Sequence, residues 1–106
     1  MKPRRFDIWR AKVRFEDSAE VKERPVLIWN SNVFLIAYKM TGTNRGNGDN
    51  EYRIRYWREA GLDKPTSIRI EKMLRLRETD LVCKCGALDM RDRLIFENRL
   101  ARRFGK

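Results

Sequence analysis

A mainly β fold closed by one C-terminal α-helix is what this sequence predicts, and three observations predict it. Short alternating or apolar runs recur as far as Cys85, which is the signature of half-buried and buried strands. Clusters of Asn, Gly, Ser and Pro separate them, as turns require. Beyond Asp89 the apolar period lengthens from that of a strand to that of a helix. The chain has 106 residues, so a single domain over 1–106 is expected. Five or six short strands and one helix suggest a small, strongly bent sheet or barrel with the helix packed on it.

The elements follow in order. Residues 6–15 alternate, with Trp9, Ala11, Val13 and Phe15 on one face and Arg10, Lys12 and Arg14 on the other. Residues 16–23 are polar and acidic and read as a loop. Residues 25–29 are a buried strand opened by a proline that belongs at an edge, with Trp29 a core residue. Asn30, Ser31 and Asn32 make a turn, and residues 33–40 a third, mostly apolar strand. Residues 42–50, rich in Gly and Asn, form a loop. Residues 51–56 alternate again, with Tyr52, Ile54 and Tyr56 inward. Residues 57–60 suit one helical turn ended by Gly61 in a left-handed conformation. Lys64 and Pro65 punctuate, 67–75 is a fifth strand and 82–85 a sixth. The helix has Asp89 as its N-cap and Asp92 in its first turn, where negative charge is favoured. Met90, Leu94, Phe96, Leu100, Ala101 and Phe104 are assigned to one broad apolar face, read as core, with dimer contact the second reading.

Composition narrows the function classes. The net charge is +10, from 25 Lys and Arg against 15 Asp and Glu, which favours a polyanionic partner such as nucleic acid. Most of these cations are Arg, whose planar fork suits phosphate. No apolar run is long enough to span a bilayer and no signal region follows the basic N-terminus, so no membrane role and a cytoplasmic location are expected. Cys83 and Cys85 are too close in sequence for an unstrained disulfide. The absence of histidine leaves them without the further ligands a structural zinc site needs. No metal and no cofactor is expected, and the two cysteines read as small residues on one face of a strand.

Three segments carry candidate chemistry: Arg24-Pro25-Val26-Leu27-Ile28, Met40-Thr41, and Ser67-Ile68-Arg69-Ile70-Glu71. Together they offer two cations, a hydroxyl and a carboxylate, a set able to bind and cleave a phosphodiester. Arg24 suits a phosphate clamp, since a guanidinium keeps its charge and its fork of donors. Thr41 can donate to the same phosphate, although a threonine at a strand end is ordinarily a strand or turn residue. Alternation puts Arg69 and Glu71 on one face. There a carboxylate beside a cation stays ionised and able to accept a proton, or forms a surface ion pair of little energetic value. Tyr56 and Trp57 offer stacking surfaces for unpaired bases, and Arg45, Arg53 and Arg55 can follow a nucleic-acid backbone. Core aromatics and a solvated basic face are the plainer readings of the same residues.

These segments, in this order, resemble the MazF/PemK family of toxins from bacterial type II toxin–antitoxin systems. Phe6-Asp7-Ile8-Trp9 resembles the family's opening strand, Arg24-Pro25 and its apolar run the second motif, and residues 36–41 the strand that ends in a hydroxyl. Residues 61–71 resemble the segment leading to an Arg-x-acid element, and Gly86-Ala87-Leu88 the lead into the final helix. The chain departs from the pattern at Phe6, where glycine is usual, in the acidic segment before Arg24, and at Glu71, where Asp is frequent. The resemblance implies an SH3-like β-barrel of the MazF/PemK/CcdB type, a homodimer, and an endoribonuclease. Such an enzyme cleaves single-stranded RNA, mRNA in particular, without a metal, leaving 2′,3′-cyclic phosphate and 5′-hydroxyl ends, and is neutralised by an acidic antitoxin. It implies Arg24, Thr41, Arg69 and Glu71 as the catalytic group. Two alternatives stay open: a non-catalytic SH3-like nucleic-acid-binding protein and a gyrase-poisoning toxin of related fold.

Overall fold

The protein was examined as a computed structural model that describes residues 2–14, 20–43 and 48–104. Among these residues six strands form one antiparallel sheet: β1 (Asp7–Arg14), β2 (Val21–Asn30), β3 (Leu35–Thr41), β4 (Glu51–Arg53), β5 (Ser67–Leu76) and β6 (Leu81–Ala87). Their order across the sheet is β4-β5-β3-β2-β1-β6. One helix, α1 (Met90–Phe104), follows. Mainly β with a C-terminal helix is therefore what the chain adopts. The sheet is not closed into the expected barrel, because among the described residues the edge strands β4 and β6 are not paired with each other.

The 57–61 turn stands in that gap. Gly61 has φ +89°, and a methyl group there would lie 2.3 Å from the Cys85 carbonyl oxygen. A methyl group on Gly86 would lie 2.1 Å from the Ala60 carbonyl oxygen. Only two glycines allow the turn to seat this closely on β6. The turn itself is tied by Ala60 N–H to Tyr56 O and Leu62 N–H to Trp57 O, the pattern of a helix end capped by a left-handed residue.

Strand bounds depart from expectation where periodicity is silent. β2 begins at Val21, inside the span read as an acidic loop, because the residues from Val21 to Arg24 pair with those from Ala11 to Arg14 of β1. Pro25 accordingly lies inside β2, opposite Arg10 of β1. β4 is only three residues long, and Tyr56 is half-buried rather than inward.

The bent sheet has a core on each side. Phe6, Ile8, Leu27, Tyr38, Met40, Tyr52, Ile54, Ile68 and Ile70 meet Phe96 and Leu100 of α1 on one side. Trp9, Ala11, Val13, Val26, Ile28, Leu35 and Ala37 form the other. Phe6 stands where the resemblance leads one to expect glycine, and its φ of +74° is in the left-handed region. A side chain there costs about 1–3 kcal/mol. The conformation is held by Phe6 N–H to Ile28 O and Leu88 N–H to Phe6 O, each 2.8 Å, and by the ring packing edge-on to Trp29.

The apolar face of α1 is narrower than the sequence suggests. Phe96 and Leu100 are buried, while Met90 and Leu94 are 66% and 65% exposed, and Phe104 is also exposed. At 100° per residue Met90 and Leu94 lie on a different side of the helix from Phe96. The side that docks is chosen by Asp92. Its carboxylate is fully buried and accepts the Tyr52 hydroxyl, Arg55 N–H at 3.0 Å and Tyr56 N–H at 2.8 Å. An acid read as a helix-end charge is therefore the bracket that fastens residues 52–56 to α1. Burial and the Asp92 carboxylate both push the Tyr52 phenol above its ordinary value. Asp89 is the N-cap, accepting Arg91 N–H at 2.9 Å.

Candidate functional site

Pro25 lies at the edge of a cleft. It has no N–H, so it cannot donate to a ladder. The β2–β3 pairing begins only beyond it, at Val26 opposite Lys39. Continued by two residues, that register would set Arg24 opposite Thr41. The ladder stops, the strands part, and a cleft of about 780 Å³ opens there. Arg24, Pro25, Met40, Thr41, Gly42 and Thr43 line one part of it, and Gly61, Leu62, Asp63, Lys64 and Thr66 another. Arg10, Glu23 and Cys85 complete the lining.

The cleft is polar and cationic. Arg10, Arg24 and Lys64 face it against Glu23 and Asp63, and Arg10 and Glu23 stand 3.6 Å apart. Arg24 is exposed, and its Nη1 donates to the Glu23 carbonyl at 2.9 Å. Thr41 Oγ1 accepts Thr43 N–H at 3.1 Å. That contact fixes the oxygen while leaving the hydroxyl proton to be donated elsewhere. Thr66 Oγ1 donates to Lys64 O at 2.9 Å and so braces the 64–66 segment. Burial pushes the Cys85 thiol up from its ordinary value, which keeps it protonated and a poor nucleophile.

Arg69 and Glu71 are not among the residues lining this cleft. Register sets Arg69 opposite Glu51 of β4. Its guanidinium lies 3.7 Å from the Glu51 carboxylate and 3.9 Å from that of Glu71. Arg69 and Glu51 are mostly covered, at 16% and 6% side-chain exposure, whereas Glu71 is at the surface.

The residues expected to contact nucleic acid gather elsewhere. Tyr56 and Trp57 stand beside the start of α1, half-buried. Arg91 covers the Tyr56 ring at 3.6 Å and Arg58 the Trp57 ring at 4.4 Å. Guanidinium planes, rather than bare rings, are what these positions offer to a base. Arg91 is further fixed by two bonds to Asp89, and Arg91 in turn holds the Asp89 carboxyl well below the usual range, at about 2. Arg53 is exposed and its Nη1 donates to Ser67 Oγ at 3.0 Å. Arg55 is exposed. Arg45 lies outside the described residues, as does the first half of the acidic 16–23 segment.

Sequence reasoning missed Arg10, Lys64 and Thr66 as cleft residues. A signal for Arg10 exists in its outward position on the alternating first strand. Lys64 precedes Pro65 and was visible only as punctuation.

No protein-family profile matches the chain, and no curated protein matches it. Solved structures do. The toxin MazF-mt6 of Mycobacterium tuberculosis superimposes with a TM-score of 0.71 at 21% identity, covering 92% of this chain and 95% of that one. An endoribonuclease in complex with its cognate antitoxin, from a mycobacterial species, superimposes with a TM-score of 0.76 at 16% identity, covering 97% and 95%. A further mycobacterial endoribonuclease gives 0.74 at 15% identity, covering 99% and 93%. At these identities the likeness establishes the fold: this chain has the architecture of those proteins over nearly its whole length.

Proposed function

We propose that this protein is a MazF/PemK-type toxin, an endoribonuclease that cleaves single-stranded RNA, mRNA included, in the cytoplasm. The observation that carries the reading is the convergence of Arg24 and Thr41, from separate sequence motifs, on one cationic cleft. The fold's likeness to structures described as endoribonucleases supports it.

RNA brings its own nucleophile. The 2′-hydroxyl attacks the adjacent phosphorus, the 5′-oxygen departs, and a 2′,3′-cyclic phosphate and a 5′-hydroxyl result. The protein has to align the two and stabilise the charge that builds on the non-bridging oxygens. Arg24 supplies the forked cation for those oxygens, and Thr41 supplies a hydroxyl donor from the opposite strand. Arg69 and Glu71, first grouped with them, take a supporting part in this reading: they secure β5 to β4. Tyr56, Trp57, Arg53 and Arg55, with Arg45, bind the RNA flanking the cleft. Catalysis proceeds without a metal or cofactor in this proposal. A homodimer is the active form, and an acidic antitoxin is the natural inhibitor, drawn by the +10 charge. One structural neighbour is itself described as bound to its cognate antitoxin.

The test is direct. Pure protein mixed with long single-stranded RNA in EDTA should yield discrete fragments ending in cyclic phosphate. Salt-sensitive binding with no scission would instead mark a nucleic-acid-binding protein.

A further inference from the structure

Resting on that reading, the geometry points to Lys64 as the proton donor to the departing 5′-oxygen. Cleavage by the 2′-hydroxyl creates an alkoxide at O5′ unless a proton arrives, and a positioned acid contributes about 10²–10⁴-fold to such a step. Arg24 cannot supply that proton, because a guanidinium in a protein does not give one up. Cys85 is packed against the core beneath the cleft. Lys64 also lines the cleft, and its ammonium is a compact donor able to release a proton and recover it.

Its placement is specific. Lys64 lines the cleft with Arg24 and Thr41. Its side chain lies across Gly42, the residue after Thr41: a methyl group there would come within 2.9 Å of Lys64 Cε and 3.2 Å of Nζ. The lack of a side chain at 42 is therefore what lets the ammonium reach the Thr41 end of the cleft. Its own backbone is braced by Thr66 and stiffened by Pro65, which restricts the residue before it to extended conformations. Lys64 is an exposed residue, so its amine can be reprotonated from solvent after each turnover.

The step balances. The O2′–P bond forms as the P–O5′ bond breaks. The 2′-hydroxyl proton leaves to water, Lys64 gives a proton to O5′, and the neutral amine recovers one from solvent. No oxidant, reductant or further reactant takes part.

The experiment uses two oligonucleotides spanning a mapped cleavage site, one normal and one with sulfur replacing the bridging 5′-oxygen. Sulfur leaves without being protonated. Lys64→Ala should slow the normal substrate about 100-fold or more, yet cleave the sulfur substrate at close to the parent rate. Lys64→Arg, which keeps the charge but not the proton, should behave alike. Gly42→Ala, which crowds the Cε and Nζ end of the lysine, should show the same pattern more weakly. Equal slowing on both substrates, or full rescue by Lys64→Arg, would reduce Lys64 to an electrostatic contact and overturn the proposal. Parent protein that cleaves neither substrate would overturn the nuclease reading, and this inference with it.

Discussion

Arg24 and Arg69 are the same residue type in similar local motifs, yet the fold puts them to opposite uses. Arg24 sits beside the proline beyond which the β2–β3 ladder begins, exposed and lining an open cleft. Arg69 sits directly opposite Glu51, at one end of the β4–β5 ladder, and is largely covered. An arginine that meets a carboxylate across a strand pair is already neutralised, and bringing it to a phosphate would require breaking that pair. What distinguishes them is the neighbouring strand, which the local sequence does not show.

Removing each cation's function should separate the two regions. Arg24→Ala should lower cleavage about 10²–10³-fold, the range for loss of one transition-state donor, with an unchanged melting curve. Parent-like cleavage would remove Arg24 from the site. Glu51→Ala should do the reverse: leaving Arg69 covered and without that carboxylate should cost about 3 kcal/mol of stability, read by urea unfolding, while the folded fraction still cleaves RNA. A stable variant with no activity would mean that the β4–β5 pair belongs to the chemistry after all. Glu71→Gln removes the more exposed partner and should cost less than about 1 kcal/mol, with cleavage nearly unchanged. A large activity loss there would restore Glu71 as a proton acceptor.

The smallest effects are in pH. Asp89 titrates at about 2 rather than at its ordinary 3.8, because Arg91 bonds its ionised form. A lowered carboxyl value stabilises the fold above the unfolded value, and that support is lost as pH falls from about 4 to 2. Asp89→Asn should remove this acid limb from a stability–pH profile. Tyr52 has the opposite sign. Its phenol is raised, so stability is fully present below pH 10 and declines above it, where the unfolded chain ionises first. Tyr52→Phe should flatten that alkaline limb.

Much of the fold was legible from residue order. Alternation located β1, the apolar runs located the centres of β2 and β3, and Gly61 was recognisable as a left-handed cap. The helix was legible in extent and in its Asp89 cap, but not in its docking. Its apolar residues cover more than one side, and the buried side was selected by Asp92 meeting two backbone N–H groups and a phenol from residues 52–56. The start of β2 was hidden because polar residues in its exposed part carry no apolar signal. In the cleft, Arg24 and Thr41 could be proposed from their motifs, whereas Lys64 could not, and Arg10 showed only as an outward residue of the first strand. A lysine before a proline looks like any surface lysine until a distant glycine is found beneath it.

The sequence alone determined which segments extend, where they turn and where the helix begins, because those depend on residues near one another and on the period of their apolar contacts. It also determined that the molecule is strongly basic. Tertiary structure decided which charges face solvent and which face each other, because that depends on strand register between segments far apart in the chain. A single missing N–H at Pro25 parts two strands, and only the folded sheet reveals which side chains then line the opening.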